Sequence, residues 1–555
     1  MSFFSRARRR ASAASPLETP VAHLSVAATG TAAAPETAVA TLDVERGRAE
    51  AGETTRTPRA VLFGGALIVA VGAALRCWSP SHLWLDEALS VNISRLPLAD
   101  IPDALRHDGA PPLYYVLQHG WMRLFGSGDV AARLLSGALA VAALPVMWFA
   151  GRRAGTRATG WSALVLLASS PFAVRYATEA RMYSLVMLLF LLGYLALVRA
   201  LERPSLPRLA AVTLVTGALL LSHYWAIYLL VLVLVLLVHR VRRGPGAVEA
   251  RRALMAVLAG TLLFLPWLPT FLFQLAHTGT PWGNRPTAGH IVRAIDEFGG
   301  GRGPVAPISS LLFLALALLG LFGRSVDRHR LELDLRTRPQ GRALGVVAFG
   351  TVAIGVAVGI ISGATFVTRY AALALPPFVL LAALGTDTLG DPRVRRWTLA
   401  VVSVLGLWTG AVTSANERTT AGEVAAAIKA NAAPGDVVAY CPDQLGPGVS
   451  RLLPDRFHQV AFPRGTGPER VDWVDYADVN QAADPAPFAE MLLRRAGPRD
   501  IWMVWSPGYR TFGPKCEAIT ETLEKRRPEP ERVVRVKLRF AEHPGLIRFR
   551  APAVR

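Results

Sequence analysis

From residue 60 to residue 413 the chain alternates long apolar stretches with short polar ones. The apolar stretches run at roughly 60–78, 130–150, 159–174, 182–200, 208–222, 224–239, 254–275, 307–323, 343–362, 368–386 and 397–413. Most are near the roughly 20 residues that a helix needs to cross a hydrocarbon layer about 30 Å thick. The pattern therefore predicts a polytopic α-helical membrane protein. Residues 208–239 exceed one crossing, since about 32 residues would extend about 48 Å at 1.5 Å per residue. A split at Ser222-His223-Tyr224 gives eleven spans.

Charge supports the split. With the arginine-rich N-terminus inside, the five inner loops (151–159, 199–208, 240–252, 324–342 and 387–396) carry 20 lysines and arginines, more than the five outer loops hold over a greater length. Fusing 208–239 into one span would reverse every later loop and place the 324–342 and 387–396 clusters outside. The C-terminus is then expected on the outer face.

The ends of the chain differ from this middle. Residues 1–58 are rich in Ala, Thr, Pro, Glu and Arg without apolar periodicity, which predicts a disordered cytoplasmic tail. No apolar segment follows the early RARRR run, so no cleaved leader is expected. Residues 59–415 form the expected transmembrane domain. Its first outer loop, 79–129, contains two amphipathic stretches, 97–107 and 112–125, suited to the membrane surface. After the last span, EVAAAIKANAAPGDVVAYC reads as helix, turn and buried strand, and IWMVW (501–505), VVRVKLRF (533–540) and LIRFR (546–550) read as strands. Residues 416–555 are thus expected to form an extracytoplasmic α/β domain.

Composition narrows the function classes. Of 555 residues 52% are hydrophobic and 18% charged, which excludes a soluble protein of ordinary make-up. The net charge of +20 would suggest nucleic acid, but 56 of the 60 basic residues are arginines placed between apolar stretches, a mark of membrane topology. No nucleic-acid partner is expected. Three cysteines without a CxxC pair offer no cysteine-built metal site. Cys441 and Cys516 both fall in the C-terminal region, where a disulfide and two free thiols are equally compatible with the sequence.

With topology assigned, the polar residues at membrane level fall on the outer side. WLDEALS supplies Asp86 and Glu87. HDGAPPLYYVLQHGWMRLFG supplies His107, Asp108, Tyr114 and Tyr115; RYATEARMYS supplies Arg175, Glu179, Arg181 and Tyr183. Two further junctions add His223, Tyr224, Thr368, Arg369 and Tyr370. Ionisable groups at this depth are costly unless paired or facing water, which makes each a functional candidate. Carboxylates beside guanidiniums suit a reaction in which a hydroxyl loses a proton while a phosphate leaves. Plainer roles stand beside these: Asp86 and Glu87 as a helix cap, Arg175 and Arg181 as snorkelling anchors, His223 as a structural histidine, and Tyr114, Tyr115, Tyr183 and Tyr224 as belt aromatics.

Taken together, WLDEALS, DGAPPLYYVLQHGWMRLFG, YATEARMYS, SHY and TRY resemble the GT-C fold membrane glycosyltransferases, in particular the protein O-mannosyltransferase and aminoarabinose transferase family with its bacterial members, over about residues 60–415. The resemblance implies sugar transfer from a polyprenyl-phosphate donor at the outer membrane edge. It implies Asp86 as the base, with Glu87 the second catalytic candidate, and inversion at the anomeric carbon. It further implies Arg181 and Arg369 on the donor phosphate, Glu179 orienting Arg181 or the sugar, and Asp108 on acceptor or sugar. Tyr114, Tyr183, His223 and Tyr370 complete the substrate-binding candidates. No cofactor is required, although related oligosaccharyltransferases hold a divalent ion with comparable carboxylates. The expected partners are the lipid-linked donor, a cell-envelope glycan, lipid or protein acceptor, and the bilayer; the expected location is the plasma membrane. The C-terminal region does not match the β-trefoil of the eukaryotic enzymes, which speaks against a protein acceptor. Two other classes remain: a lipid-sugar flippase or small-solute transporter, disfavoured by the absence of an inverted repeat, and an outer-face sensor, for which eleven spans are excessive.

Overall fold

A computed structural model describes residues 59–280 and 283–552. The tail read at 1–58 lies outside the described residues.

Each apolar stretch is helical. In chain order the helices up to residue 415 are α1 (Arg59–Leu75), α2 (Leu85–Ser94), α3 (Ile101–Asp108), α4 (Leu113–Phe125), α5 (Asp129–Ala154), α6 (Arg157–Ser169), α7 (Pro171–Ala177), α8 (Tyr183–Glu202), α9 (Leu206–Leu220), α10 (Ala226–Arg243), α11 (Ala247–Leu262), α12 (Leu268–His277), α13 (Gly289–Gly299), α14 (Ala306–Phe322), α15 (Pro339–Ser362), α16 (Leu375–Thr386) and α17 (Pro392–Ala415). Among the described residues six helices are long and apolar enough to cross a membrane, α11 and α12 counting as one, and α1, α9 and α14 are shorter apolar helices. The protein is a multi-pass membrane protein. The split at 222–224 is present as a turn between α9 and α10.

Local chemistry sets the breaks. Thr156 and Thr159 form a reciprocal capping box that starts α6. Ser170 ends α6 and caps α7, whose first residue is Pro171, so one apolar stretch becomes two helices. Gly109, at φ +83°, ends α3 in the left-handed region, and Pro111-Pro112 then lead into α4. The two amphipathic stretches of the first outer loop are these helices. A third helix in that loop, α2, carries Asp86 and Glu87 in its first turn, and α13 and a small hairpin pairing Gly323–Ser325 (β1) with Leu331–Leu333 (β2) add to the elements read from the sequence.

Close backbone approach ties the membrane helices together. A Cβ at Gly320 would overlap the Leu381 carbonyl, and one at Gly385 the Leu316 carbonyl, so α14 and α16 pack through reciprocal glycines.

The C-terminal region combines helices with one five-stranded sheet. Its sheet has the order β4-β3-β5-β7-β6, from β3 (Val437–Cys441), β4 (His458–Ala461), β5 (Ile501–Trp505), β6 (Glu531–Val534) and β7 (Gly545–Phe549). The β4, β3 and β5 strands run parallel, while β7 is antiparallel to both β5 and β6. Burial of all of β3 and of β5 up to the half-buried Trp505 explains the continuous apolar runs VVAYC and IWMVW. The strand read at 533–540 ends at Val534, because beyond a register shift near 532–534 the chain leaves β7. Cys441 and Cys516 are joined in a disulfide, which settles the open alternative.

The described residues from Phe63 onward form one compact unit. The boundary expected at 415/416 is therefore a change of architecture, not a break between separable bodies. Leu89 of α2 lies in the same apolar core as Val437, Met503 and Phe549. Asn92 donates to the Glu469 carbonyl at 2.6 Å, and Trp473 N–H donates to the His107 carbonyl at 3.0 Å. His107 pairs with Asp472 at 2.9 Å, and Arg451 pairs with Asp129.

Replacing Gly385 with Val should lower stability by about 1–3 kcal/mol through overpacking against Leu316. The midpoint of thermal aggregation in detergent would report it, with Gly120→Val, where a Cβ meets nothing within 4 Å, as the neutral control.

Candidate active site

The site is built where three chain segments meet: the first turn of α2, the turn 178–182 between α7 and α8, and the 3-10 turn Thr368–Ala374 that leads into α16. Glu87 fixes the first to the second. Its carboxylate is fully buried, accepts from Arg133 Nε and Nη2 at 2.7 and 2.6 Å, and accepts from the Ala180 N–H at 2.9 Å. Arg133 also donates to the Ser81 and His82 carbonyls. Arg418, just beyond α17, approaches Glu87 at 3.6 Å and donates to the Thr178 carbonyl and hydroxyl, both at 2.6 Å. Burial opposes ionisation of Glu87, but Arg133 and Arg418 together hold its carboxyl below the usual range. Arg175 pairs with buried Glu179 at 2.7 Å on the same side.

Asp86, one residue earlier, is placed differently. Its carboxylate meets Arg369 at 2.9 Å, and both side chains keep 16% exposure. The Arg369 guanidinium lies 5.4 Å from the Trp84 ring and 5.8 Å from the Tyr370 ring, within cation–π distance of both. Arg181 reaches the same point from the second segment: Nη1 donates to Ser90 Oγ at 3.0 Å, to Tyr115 Oη at 3.3 Å and to the Asp86 carbonyl at 3.4 Å. Tyr115 in turn donates to Asp108 at 2.7 Å. The Gly109 turn makes this possible, since it folds α4 back beside the end of α3. Desolvation pushes the Asp108 carboxyl up, and Arg181 and Tyr115 only partly offset it. Ser136 accepts or donates with Tyr114 at 2.9 Å and donates to the Arg181 carbonyl at 2.9 Å.

Aromatic rings line the third side. Tyr183 lies 6.1 Å from His223, His223 5.7 Å from Tyr370, and Tyr370 5.9 Å from Trp225. Burial, then Arg181 and Arg369, hold the His223 imidazole down to about 3, so it is neutral at physiological pH. Nearby, Thr368 donates to Glu297 at 2.5 Å.

Of the fifteen residues named from the sequence, His107 and Tyr224 turn elsewhere, to Asp472 and Gln274, and the other thirteen gather around these three segments. They divide by access. Asp86, Asp108, Arg181, Arg369 and Tyr370 are half-buried, whereas Glu87, Tyr114, Glu179, Tyr183 and His223 are buried and engaged by neighbours. Tyr114, Tyr115 and Tyr183 are core residues here, not belt aromatics. Arg133, Arg418, Ser90, Ser136 and Trp84 had not been singled out. An arginine inside the apolar stretch of α5 was a signal for Arg133, since such a charge needs a buried partner; nothing local marks Arg418.

Among the described residues no three His, Cys, Asp or Glu side chains converge as a metal site. The available carboxylates suit one poorly, because Asp86 and Glu87 each face guanidinium groups that would repel a cation. An open groove of about 830 Å³ between α9 and α11 lies elsewhere, and its apolar walls are surface that a bilayer would cover.

Residues 109–269 match the family model described as dolichyl-phosphate-mannose-protein mannosyltransferase. No curated protein matches by sequence. The solved structure of ArnT from Cupriavidus metallidurans bound to undecaprenyl phosphate is similar over 88% of this chain and 99% of its own, with TM-score 0.58 and 16% identity. Its apo state gives TM-score 0.60 and 15% identity, over 88% of this chain and 98% of its own. The fold is therefore of the GT-C class. The chain thus shares the fold of ArnT, and its residues 109–269 match the mannosyltransferase family model.

Arg133→Ala would leave Glu87 buried and short of its main partner. It should cost about 3–5 kcal/mol, visible as loss of folded protein on size-exclusion chromatography, while Arg175→Ala, removing a more exposed partner, should cost less.

Proposed function

We propose that this protein is an integral membrane glycosyltransferase that moves a sugar from a polyprenyl-phosphate donor to a hydroxyl of a cell-envelope acceptor. The observation that carries this is the Asp86–Arg369 pair, with Arg181 bound to the Asp86 backbone. A carboxylate and two guanidiniums share one half-open point, while Glu87 and Glu179 beside it are buried and paired with Arg133, Arg418 and Arg175.

In the proposed reaction the acceptor hydroxyl oxygen attacks the anomeric carbon as its proton passes to Asp86. The bond from that carbon to the phosphate oxygen breaks on the opposite side, which inverts the configuration. Polyprenyl phosphate leaves with the bonding electron pair, and its growing charge is met by Arg369 and Arg181. Arginine suits this duty because its fork matches phosphate oxygens and stays charged near lipid. Asp108, through Tyr115, and Tyr370 face the same point and are candidates for holding sugar or acceptor. Glu87 is better read as a positioning residue than a catalytic one, since Arg133, Arg418 and the Ala180 N–H already occupy its carboxylate. The ArnT likeness supports a lipid-linked donor, as that protein was solved with undecaprenyl phosphate.

Placement in the bilayer follows the sequence: eleven spans in the plasma membrane, N-terminus cytoplasmic, C-terminal region outside. The Cys441–Cys516 disulfide supports an oxidising compartment for that region. A flippase remains the alternative; lipid-sugar movement in vesicles without transfer would favour it. The reaction is proposed to need no metal.

Membranes should be incubated with labelled polyprenyl-phosphate mannose, glucose or arabinose and the product characterised; no product from any donor refutes the reading. Asp86→Asn should reduce transfer by about 10²-fold or more with the fold intact, and Arg369→Ala should weaken donor use and turnover together. EDTA should leave the rate unchanged; restoration by added Mg²⁺ or Mn²⁺ after a loss would show that a metal takes part.

A further inference from the structure

Helix α2 carries Asp86 in its first turn but has no cap of its own. Trp84 occupies the cap position in an extended conformation, and its side chain accepts no hydrogen bond from the helix. The first intrahelical bond runs from Ala88 N–H to the Trp84 carbonyl, which leaves the N–H groups of Leu85, Asp86 and Glu87 without intrahelical partners. Where the helix begins, and so where Asp86 stands, must be fixed from outside.

The C-terminal region places one acidic side chain there. Glu542 is 2% exposed, and neither carboxyl oxygen has a hydrogen-bond partner in good geometry. Its backbone is fixed, since its N–H donates to the Arg418 carbonyl at 3.0 Å while Arg418 N–H donates to Ser81 Oγ at 2.9 Å. Gly448 supplies the space: a Cβ there would stand 3.3 Å from both Glu542 Oε2 and the Leu83 carbonyl. The Thr419 hydroxyl and the Leu85 N–H are the donors beside the carboxyl. A buried acidic group short of partners is costly and calls for a reason.

We propose that Glu542 is a positioning residue for Asp86: its carboxyl closes on the uncapped start of α2, and the C-terminal region thereby completes the reaction site. This rests on the reading of Asp86 as the base. The groups facing Glu542 are Asp86 and Glu87 on α2, Arg418 and Thr419 on the segment after α17, and Tyr509 and His543 within its own region. Burial first, with Asp86 and Glu87 adding, pushes Glu542 up to about 8. Below that pH it is neutral and fits a closed space; above it, a new negative charge stands beside two others, and turnover should fall.

The full-length protein in nanodiscs would be compared as wild type, Glu542→Ala and Glu542→Gln, following transfer from the donor identified above against pH and amide exchange over residues 83–94. Glu542→Ala should lose about tenfold or more in kcat with donor KM changed less than about twofold. Glu542→Gln, which keeps the neutral shape, should rescue most of the rate and lack the decline near pH 8. Exchange at 85–87 should quicken in the alanine variant and not in the glutamine one. Wild-type kcat and exchange in Glu542→Ala, or a retained decline in Glu542→Gln, would overturn the proposal. Full transfer by Asp86→Asn would instead remove the catalytic reading of Asp86, with the exchange comparison still deciding whether Glu542 holds α2.

Discussion

The arrangement depends on one buried charge. Glu87 sits with no exposure in a protein whose bulk is apolar, and a lone carboxylate there would be prohibitively desolvated. Arg133 from α5, Arg418 from beyond α17 and the Ala180 N–H from the α7–α8 turn each answer it. Because these partners come from far apart in the chain, satisfying the one charge draws the first outer loop, the membrane helices and the start of the C-terminal region to one point. A buried network of this kind is poor as a source of net stability but strict about geometry. That strictness is what a reaction site needs.

Asp86 inherits its place from this neighbour. Adjacent residues on a helix point in directions about 100° apart, so anchoring Glu87 inward turns Asp86 toward Arg369 and the half-open side. Two acidic residues that look equivalent in the sequence therefore have separate duties, one holding the helix and one facing outward. The aromatic surroundings of Arg369 and the Tyr115–Asp108 contact extend the same logic, in which rigid groups limit where each charge can go.

The C-terminal region is more than an appendage on this scaffold. Leu89 enters its core, and Asn92 and His107 bond to it. The loop 79–129 is held from below by membrane helices and from the other side by the α/β layer, which explains why it could be long and still ordered.

Apolar periodicity alone determined the helical segments of the membrane region, because the length of a span and the charge of its flanks are local properties. Motif spacing marked Asp86, Arg181 and Arg369 for the same reason, as costly charges at the ends of apolar stretches. IWMVW and VVAYC announced buried strands by their unbroken apolar runs. Which carboxylate is spent on structure, how Tyr115 links Asp108 to Arg181, and that Arg418 stands against Glu87 were decided only by tertiary structure. Those facts rest on contacts between residues tens to hundreds of positions apart, and burial, the quantity that assigns each charge its cost and its partner, exists only once the chain has folded.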